Sequence, residues 1–281
     1  MAFDPGTRLG PYEIVAPLGT GGMGEVYRAH DTRLDRTVAI KVLSGAVIAD
    51  AESRRRFEQE ARAIAALNDP HICTIHDVGR QDDLDYLVLE YLEGETLAQR
   101  LRRSPALSID AAIAIAIQIG DALDRAHREG IVHRDLKPGN VMLVRQRGAS
   151  TEPHVKLLDF GLATRTAAAR PNALEVSMAA TVVPSLVTTQ SSSVAGASGF
   201  GTVPYMAPEQ LDGDAGDHRA DIFAFGCVLY EMLAGRKAFE GATAVTVIAA
   251  IMSSEPPPIA ALQGHPLLER LLLALKEQLS R

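Results

Sequence analysis

The sequence predicts an α+β protein of two lobes, the first made mainly of strands with one main helix, the second mainly of helices. Three observations predict this. Short runs of β-branched and aromatic residues, broken by turn residues, fill positions 12–92. Apolar residues at helical spacing take over after Glu93-Gly94. The chain has 281 residues, 47% of them hydrophobic and 22% charged, which suits a substantial folded core and not a disordered chain.

In chain order, strands are expected at 12–18, 25–30, 37–43, 72–78 and 86–91. One helix interrupts them over 51–67, with apolar residues at Phe57, Ala61, Ile64 and Leu67 and a stop at Asn68-Asp69-Pro70. The lobes join at 90–94. A long helix then starts after the N-cap Ser108 and runs through His127 to Gly130. Short strands follow at 141–144 and 155–158, and further helices at 220–234, 242–252 and 266–278. The stretch 163–198, rich in Ala, Ser, Thr and Val without periodicity, reads as a long loop of the kind usually tied to function. No internal repeat is present. The expected domain runs over 12–281, with an N-lobe to about residue 90 and a C-lobe from 95.

Composition narrows the function classes. A net charge of −7 gives no basic footprint for nucleic acid. Cys73 and Cys227 are far apart within apolar runs, so they read as buried reduced thiols, not as metal ligands. The longest apolar stretch, 222–233, is too short to span a bilayer and reads as a core helix. The first residues lack a basic stretch followed by an apolar one, so no signal peptide is visible and a cytoplasmic location is expected.

Four motifs carry chemistry. Gly19-Thr20-Gly21-Gly22-Met23-Gly24 places glycines where backbone amides can approach phosphate oxygens with no Cβ in the way. A plain Gly-rich hairpin or a dinucleotide fingerprint would look similar, although strands on both sides argue against the latter. Val38-Ala39-Ile40-Lys41 ends an apolar strand in a lysine that is costly to bury unless it meets an anion; a snorkelling strand-end lysine is the bland alternative. His133-Arg134-Asp135-Leu136-Lys137-Pro138-Gly139-Asn140 supplies a proton acceptor, a phosphate contact and a metal ligand from one loop. Asp159-Phe160-Gly161 puts a carboxylate and a backbone hinge at a strand end, which suits a Mg²⁺ ligand.

Together with Ala207-Pro208-Glu209, these motifs resemble the eukaryotic-type protein kinase signature, in family order and spacing over about residues 12–252. The segments Leu9-Gly10-Pro11-Tyr12-Glu13-Ile14, Gly21-Gly22-Met23-Gly24-Glu25-Val26-Tyr27 and Tyr205-Met206-Ala207-Pro208-Glu209-Gln210 are similar to bacterial Ser/Thr kinases in particular. The resemblance implies the bilobal protein-kinase fold with an ATP cleft between the lobes, Mg-ATP and protein Ser/Thr hydroxyls as substrates, and an optional kinase–kinase dimer for autophosphorylation.

It also implies roles by position. Gly19, Gly21 and Gly24 would cover the triphosphate, with Leu18 at the loop's edge. Lys41 would contact the α- and β-phosphates and pair with Glu60. Asp135 would accept the proton of the substrate hydroxyl, Lys137 would contact the γ-phosphate, and Asn140 and Asp159 would hold Mg²⁺. Leu89 corresponds to the gatekeeper beside the adenine, Glu90 and Leu92 to its backbone partners, and Val26, Ala39 and Met142 to the walls of its pocket. Ile64, Ile75, His133 and Phe160 match a packed column between the lobes, and Asp221 and Gly226 match the buried helix that anchors the catalytic loop.

The pattern departs from the family in two places. The segment 162–206 is longer than usual and carries the hydroxyl cluster Thr188, Thr189, Ser191, Ser192 and Ser193. The final segment 274–281 looks degraded and short, leaving Arg281 as the counterpart of the family's partner for Glu209. Two other functions fit the fold: a pseudokinase or scaffold that only binds, and a small-molecule phosphotransferase. Every residue the chemistry requires is present, which argues against the first; Gly201-Thr202 and Ala207-Pro208-Glu209 argue against the second.

Overall fold

The computed structural model describes residues 3–21, 24–43, 51–82, 84–145, 153–160, 201–214 and 216–259. Its N-terminal part is an antiparallel sheet of six strands: β1 (Arg8–Leu9), β2 (Tyr12–Gly21), β3 (Gly24–Asp31), β4 (Arg36–Leu43), β5 (Ile75–Gln81) and β6 (Leu84–Glu90). Their order across the sheet is β1-β2-β3-β4-β6-β5. Successive side chains of β4 point to opposite faces, yet the strand is buried on both. Val38, Ile40 and Val42 pack into an outer cluster with Tyr12, Ile14 and Tyr27. Ala39, Lys41 and Leu43 therefore turn the other way, towards the rest of the molecule.

The glycine-rich turn lies at the tip of the β2–β3 hairpin, where Gly21 pairs with Gly24. Gly24 has φ +143°, and a Cβ there would fall 1.8 Å from the carbonyl oxygen of Val42, so no other residue fits. The helix α1 (Ala51–Ala65) buries Ser53, Phe57, Ala61 and Ile64, one stripe at three- and four-residue spacing, and it packs against β5.

The strand expected at 72–78 begins only at Ile75. Ile72 instead forms a parallel bridge with Leu157. The Cys73 amide donates to the Leu157 carbonyl at 2.9 Å, and the Leu157 amide to the His71 carbonyl at 2.8 Å. A strand of the second lobe has captured these backbone groups, which ties the segment after α1 to the far side of the cleft.

Past the joining segment come β7 (Gly94–Thr96), α2 (Leu97–Arg103) and α3 (Ile109–Arg128). Ser108 Oγ accepts the Ala111 amide at 3.3 Å, and Gly130 (φ +73°) lets the chain turn away after α3. Next are β8 (Val141–Val144) and β9 (His154–Leu157), which form a three-stranded sheet with β7. The last helices among the described residues are α4 (Pro208–Leu211), α5 (His218–Ala234) and α6 (Ala244–Ser253). α5 is buried on nearly every face, from Ala220 through Leu233, as its uniform hydrophobicity requires. The larger apolar cluster runs without a break from Leu43, Phe57 and Ile64 through Ile119 and Leu157 to Val228 and Ile251. No described helix is long and apolar enough to cross a membrane. The expected loop 163–198 and helix 266–278 fall outside the described residues.

Candidate active site

The lobes enclose a cleft of about 1500 Å³. Its roof is the cleft-facing side of the sheet. Val26 pairs with Lys41, Lys41 with Leu87 and Ala39 with Leu89, and residues opposite each other in a sheet share a face. Leu18, Gly19, Gly24, Val26, Ala39, Lys41, Leu89, Glu90 and Leu92 all line it from above, and Met142 from below. Gly21 ends β2 at the hairpin tip. Glu60 is half-buried one helical turn before Ile64 and is not itself part of the lining.

On the floor, Lys137 Nζ contacts both oxygens of Asp135, at 2.9 and 2.8 Å, and donates to Thr202 Oγ1 at 2.8 Å. Asn140 Nδ2 donates to the Asp135 carbonyl at 2.8 Å and to its carboxylate at 3.0 Å. The Asp135 carboxylate, buried to 5% exposure, is thus held by a cation and an amide in a single orientation. Across the cleft, Lys41 Nζ lies 2.8 Å from Asp159 Oδ1. Lys41 is only 7% exposed, and a lysine that dry is tolerated where it meets a carboxylate.

These donors fit a hard divalent cation. Asn140 commits its Nδ2 to Asp135, which leaves its amide oxygen facing away, and Lys41 takes one oxygen of Asp159. An amide oxygen and a carboxylate oxygen in one cleft form the donor set that Mg²⁺ accepts, completed by phosphate and water.

The loop that carries Asp135 is strained and firmly held. Arg134 has φ +62° and Asp159 φ +55°, left-handed values that cost about 1–3 kcal/mol each for residues with a Cβ. Asp221, fully buried on α5, accepts the His133 amide at 2.8 Å, the Arg134 amide at 2.7 Å and His127 Nε2 at 2.7 Å. His133 Nε2 reaches the Leu158 carbonyl at 3.0 Å, and its ring packs on Phe160 with centroids 4.6 Å apart. Of the four residues expected to form a column, Ile64, Ile75 and Phe160 are buried in one apolar cluster, and the buried His133 is the one that packs on Phe160.

Several contributing side-chain contacts carry no signal in the sequence pattern. The Glu90 side chain accepts the Thr74 amide at 2.7 Å and pairs with Lys156 at 2.6 Å, while Lys156 also donates to the Ile72 carbonyl at 3.1 Å. This network pins the joining segment. Farther along the cleft, Tyr205 donates to Glu231 at 2.5 Å, and burial pushes that carboxyl above its ordinary range. Burial also raises both thiols, Cys73 in the cleft wall and Cys227 in α5, which leaves them un-ionised and unreactive.

The chain matches the protein kinase domain family over residues 12–260. It is 39% identical over 267 residues to a probable serine/threonine-protein kinase PknB of Bifidobacterium longum, covering 92% of this chain and 35% of that protein. It is 36% identical over 261 residues to PknE of Mycobacterium tuberculosis, covering 93% and 41%. With PrkC of Bacillus subtilis it shares 38% over 248 residues, covering 88% and 34%. The chain therefore spans about a third to two-fifths of the length of these relatives. Among solved structures, the kinase domain of Mycobacterium tuberculosis PknI superposes with a TM-score of 0.69 at 30% identity, covering 99% of this chain and 90% of that one. On its motifs, its fold and these matches, the chain belongs to the protein kinase domain family and stands close to the bacterial serine/threonine kinases PknB, PknE and PrkC.

Proposed function

We propose that the chain transfers the γ-phosphate of Mg-ATP to Ser and Thr hydroxyls of proteins. The carrying observation is the Asp135 carboxylate, clamped by Lys137 and Asn140 and facing the Lys41–Asp159 pair across one cleft. In this reading the glycine turn and Lys41 bind and orient the nucleotide's phosphates. Asn140 and Asp159 would hold the magnesium, which when bound would neutralise phosphate charge. Asp135 aligns the acceptor hydroxyl and takes its proton, and Lys137 meets the charge on the transferring group. Phosphoryl transfer asks the protein mainly for positioning and charge stabilisation, which a rigid, dry, pre-bonded floor supplies. Thr202, already bonded to Lys137, would flank the acceptor residue in this reading.

Incubating the chain with labelled Mg-ATP and Ser/Thr peptides should yield phosphoserine and phosphothreonine. Nucleotide binding without transfer would instead make it a scaffold, and transfer to small metabolites alone would make it a small-molecule kinase. Lys41→Met is expected to stay folded and to lose at least about tenfold in transfer, because Asp159 and the phosphates lose their cation. A variant above about a tenth of wild-type activity would remove Lys41 from the nucleotide site.

The chain is further proposed to phosphorylate itself, in a kinase–kinase encounter, at hydroxyls between Thr188 and Ser198. These lie outside the described residues, and the support is sequence: no Asp or Glu occurs between Val176 and Pro208, and a phosphate would bring about −1.5 to −2 charge to that segment, which Arg134 could meet. Mass spectrometry after incubation with Mg-ATP should find phosphate at 188–198, with Thr189 and Ser193 leading and Thr202 unmodified. Unchanged activity after replacing Thr188, Thr189, Ser191, Ser192 and Ser193 by Ala would reduce the segment to a linker. A cytoplasmic setting, with ATP at hand and both thiols reduced, accords with this chemistry.

A further inference from the structure

We infer that Gln210, to which no motif reading above assigns a role, is a positioning residue for Asp135, acting through the peptide bond that joins Arg134 to Asp135. The inference rests on the kinase reading above.

The carboxamide of Gln210 is used at both ends. Its Oε1 accepts the Ala207 amide at 3.0 Å, and its Nε2 donates to the Arg134 carbonyl at 3.1 Å. A flipped amide would set oxygen against the carbonyl and nitrogen against the amide, so only this orientation satisfies both neighbours. The first contact caps the short helix α4. The second has no part in capping; it reaches back 76 residues to the catalytic loop.

That carbonyl belongs to the peptide whose nitrogen is Asp135 N. The same peptide's N–H donates to His133 Nδ1 at 3.3 Å, and the preceding peptide's N–H is held by Asp221 at 2.7 Å. The strained φ of +62° at Arg134 therefore lies between two peptide planes, each held by a side chain from elsewhere. Gln210 supplies the only one of these holds that comes from the segment carrying Thr202 and Ala207. It thus links the acceptor side of the cleft to the orientation of Asp135.

The surroundings protect the link. Gly216 has φ +70°, and a Cβ there would fall 3.2 Å from Gln210 Cγ and 2.9 Å from Ala220 Cβ. Its carbonyl accepts Arg134 Nε at 3.3 Å. Glycine suits 216 because the backbone there is left-handed and a Cβ would press on Ala220 and on the Gln210 side chain.

The test compares Gln210→Glu and Gln210→Ala with wild type. Glutamate keeps an acceptor for the Ala207 cap but has no donor for Arg134 when ionised; alanine removes both. At pH 8 both variants should lose about tenfold or more in kcat, approaching the ~10²-fold that a misplacement of about 1 Å costs, with ATP affinity within about twofold of wild type. Amide exchange at 133–136 should be at least about tenfold faster, while exchange in α5 stays unchanged. A purely capping role would leave Gln210→Glu active, with 133–136 protected as in wild type, and would overturn the inference. So would a kcat loss fully accounted for by a smaller folded fraction. Exchange is read without phosphotransfer, so an inactive wild-type chain would sink the kinase reading while the exchange comparison still decided the Gln210 link.

Discussion

Asp135→Asn is expected to lower peptide phosphorylation by about 10²- to 10⁴-fold, the range contributed by a positioned general base, while leaving Mg-ATP affinity within a few-fold. The asymmetry follows from the contacts. Asp135 is bonded to Lys137 and Asn140 on the floor of the cleft, and asparagine preserves its shape and one acceptor oxygen. What disappears is the negative charge that accepts a proton. Asp159 faces Lys41 instead, so Asp159→Asn should lose activity chiefly through weaker Mg-ATP binding. Steady-state kinetics paired with nucleotide titration distinguish the two. An equal loss of nucleotide affinity in both variants would overturn the division of labour.

The second large effect concerns stability. Asp221→Ala is expected to cost about 3–5 kcal/mol, because two backbone amides, those of His133 and Arg134, lose their acceptor in a dry interior. In a domain of this size that lowers the melting temperature by roughly 10 °C. Asp221→Asn keeps one oxygen but presents an NH₂ group to one of three former donors, so a smaller loss is expected. Thermal unfolding followed by circular dichroism measures both. A wild-type melting curve for Asp221→Ala would mean that the catalytic loop holds its strained φ without this carboxylate.

The elements legible in the sequence are those whose signals are local. The β4 strand with its terminal lysine, the capped helix α3 and the motif residues Asp135, Asn140 and Asp159 all follow from short-range pattern, and the cleft gathers them. The helix α2 is absent from the expected elements although its signal is local too: Thr96 and Gln99 form a reciprocal capping box, hidden by the run of Arg residues behind it. The strand expected at 72–78 is too long because Ile72 and Cys73 look like strand residues; β9, some 80 residues later in the chain, claims their backbone. The contacts of Lys156 with Ile72, of Gln210 with Arg134 and of Asp221 with His127 cannot be found at all from spacing. Each acts across dozens of residues, and such contacts leave no mark in local side-chain pattern.

The unbroken apolar cluster beneath the sheet bears on how the chain comes apart. Leu43, Phe57 and Ile64 share one continuous packing with Ile119, Val228 and Ile251, whereas Tyr12, Tyr27 and Ile40 belong to a separate layer on the outer side. The cooperative unit does not coincide with the visible lobes. Cutting the chain in the segment 90–94 would divide that cluster and yield two fragments, neither with a complete interior. Because β4 gives Val38, Ile40 and Val42 to the outer layer and Leu43 to the inner cluster, the two layers should melt together in one step.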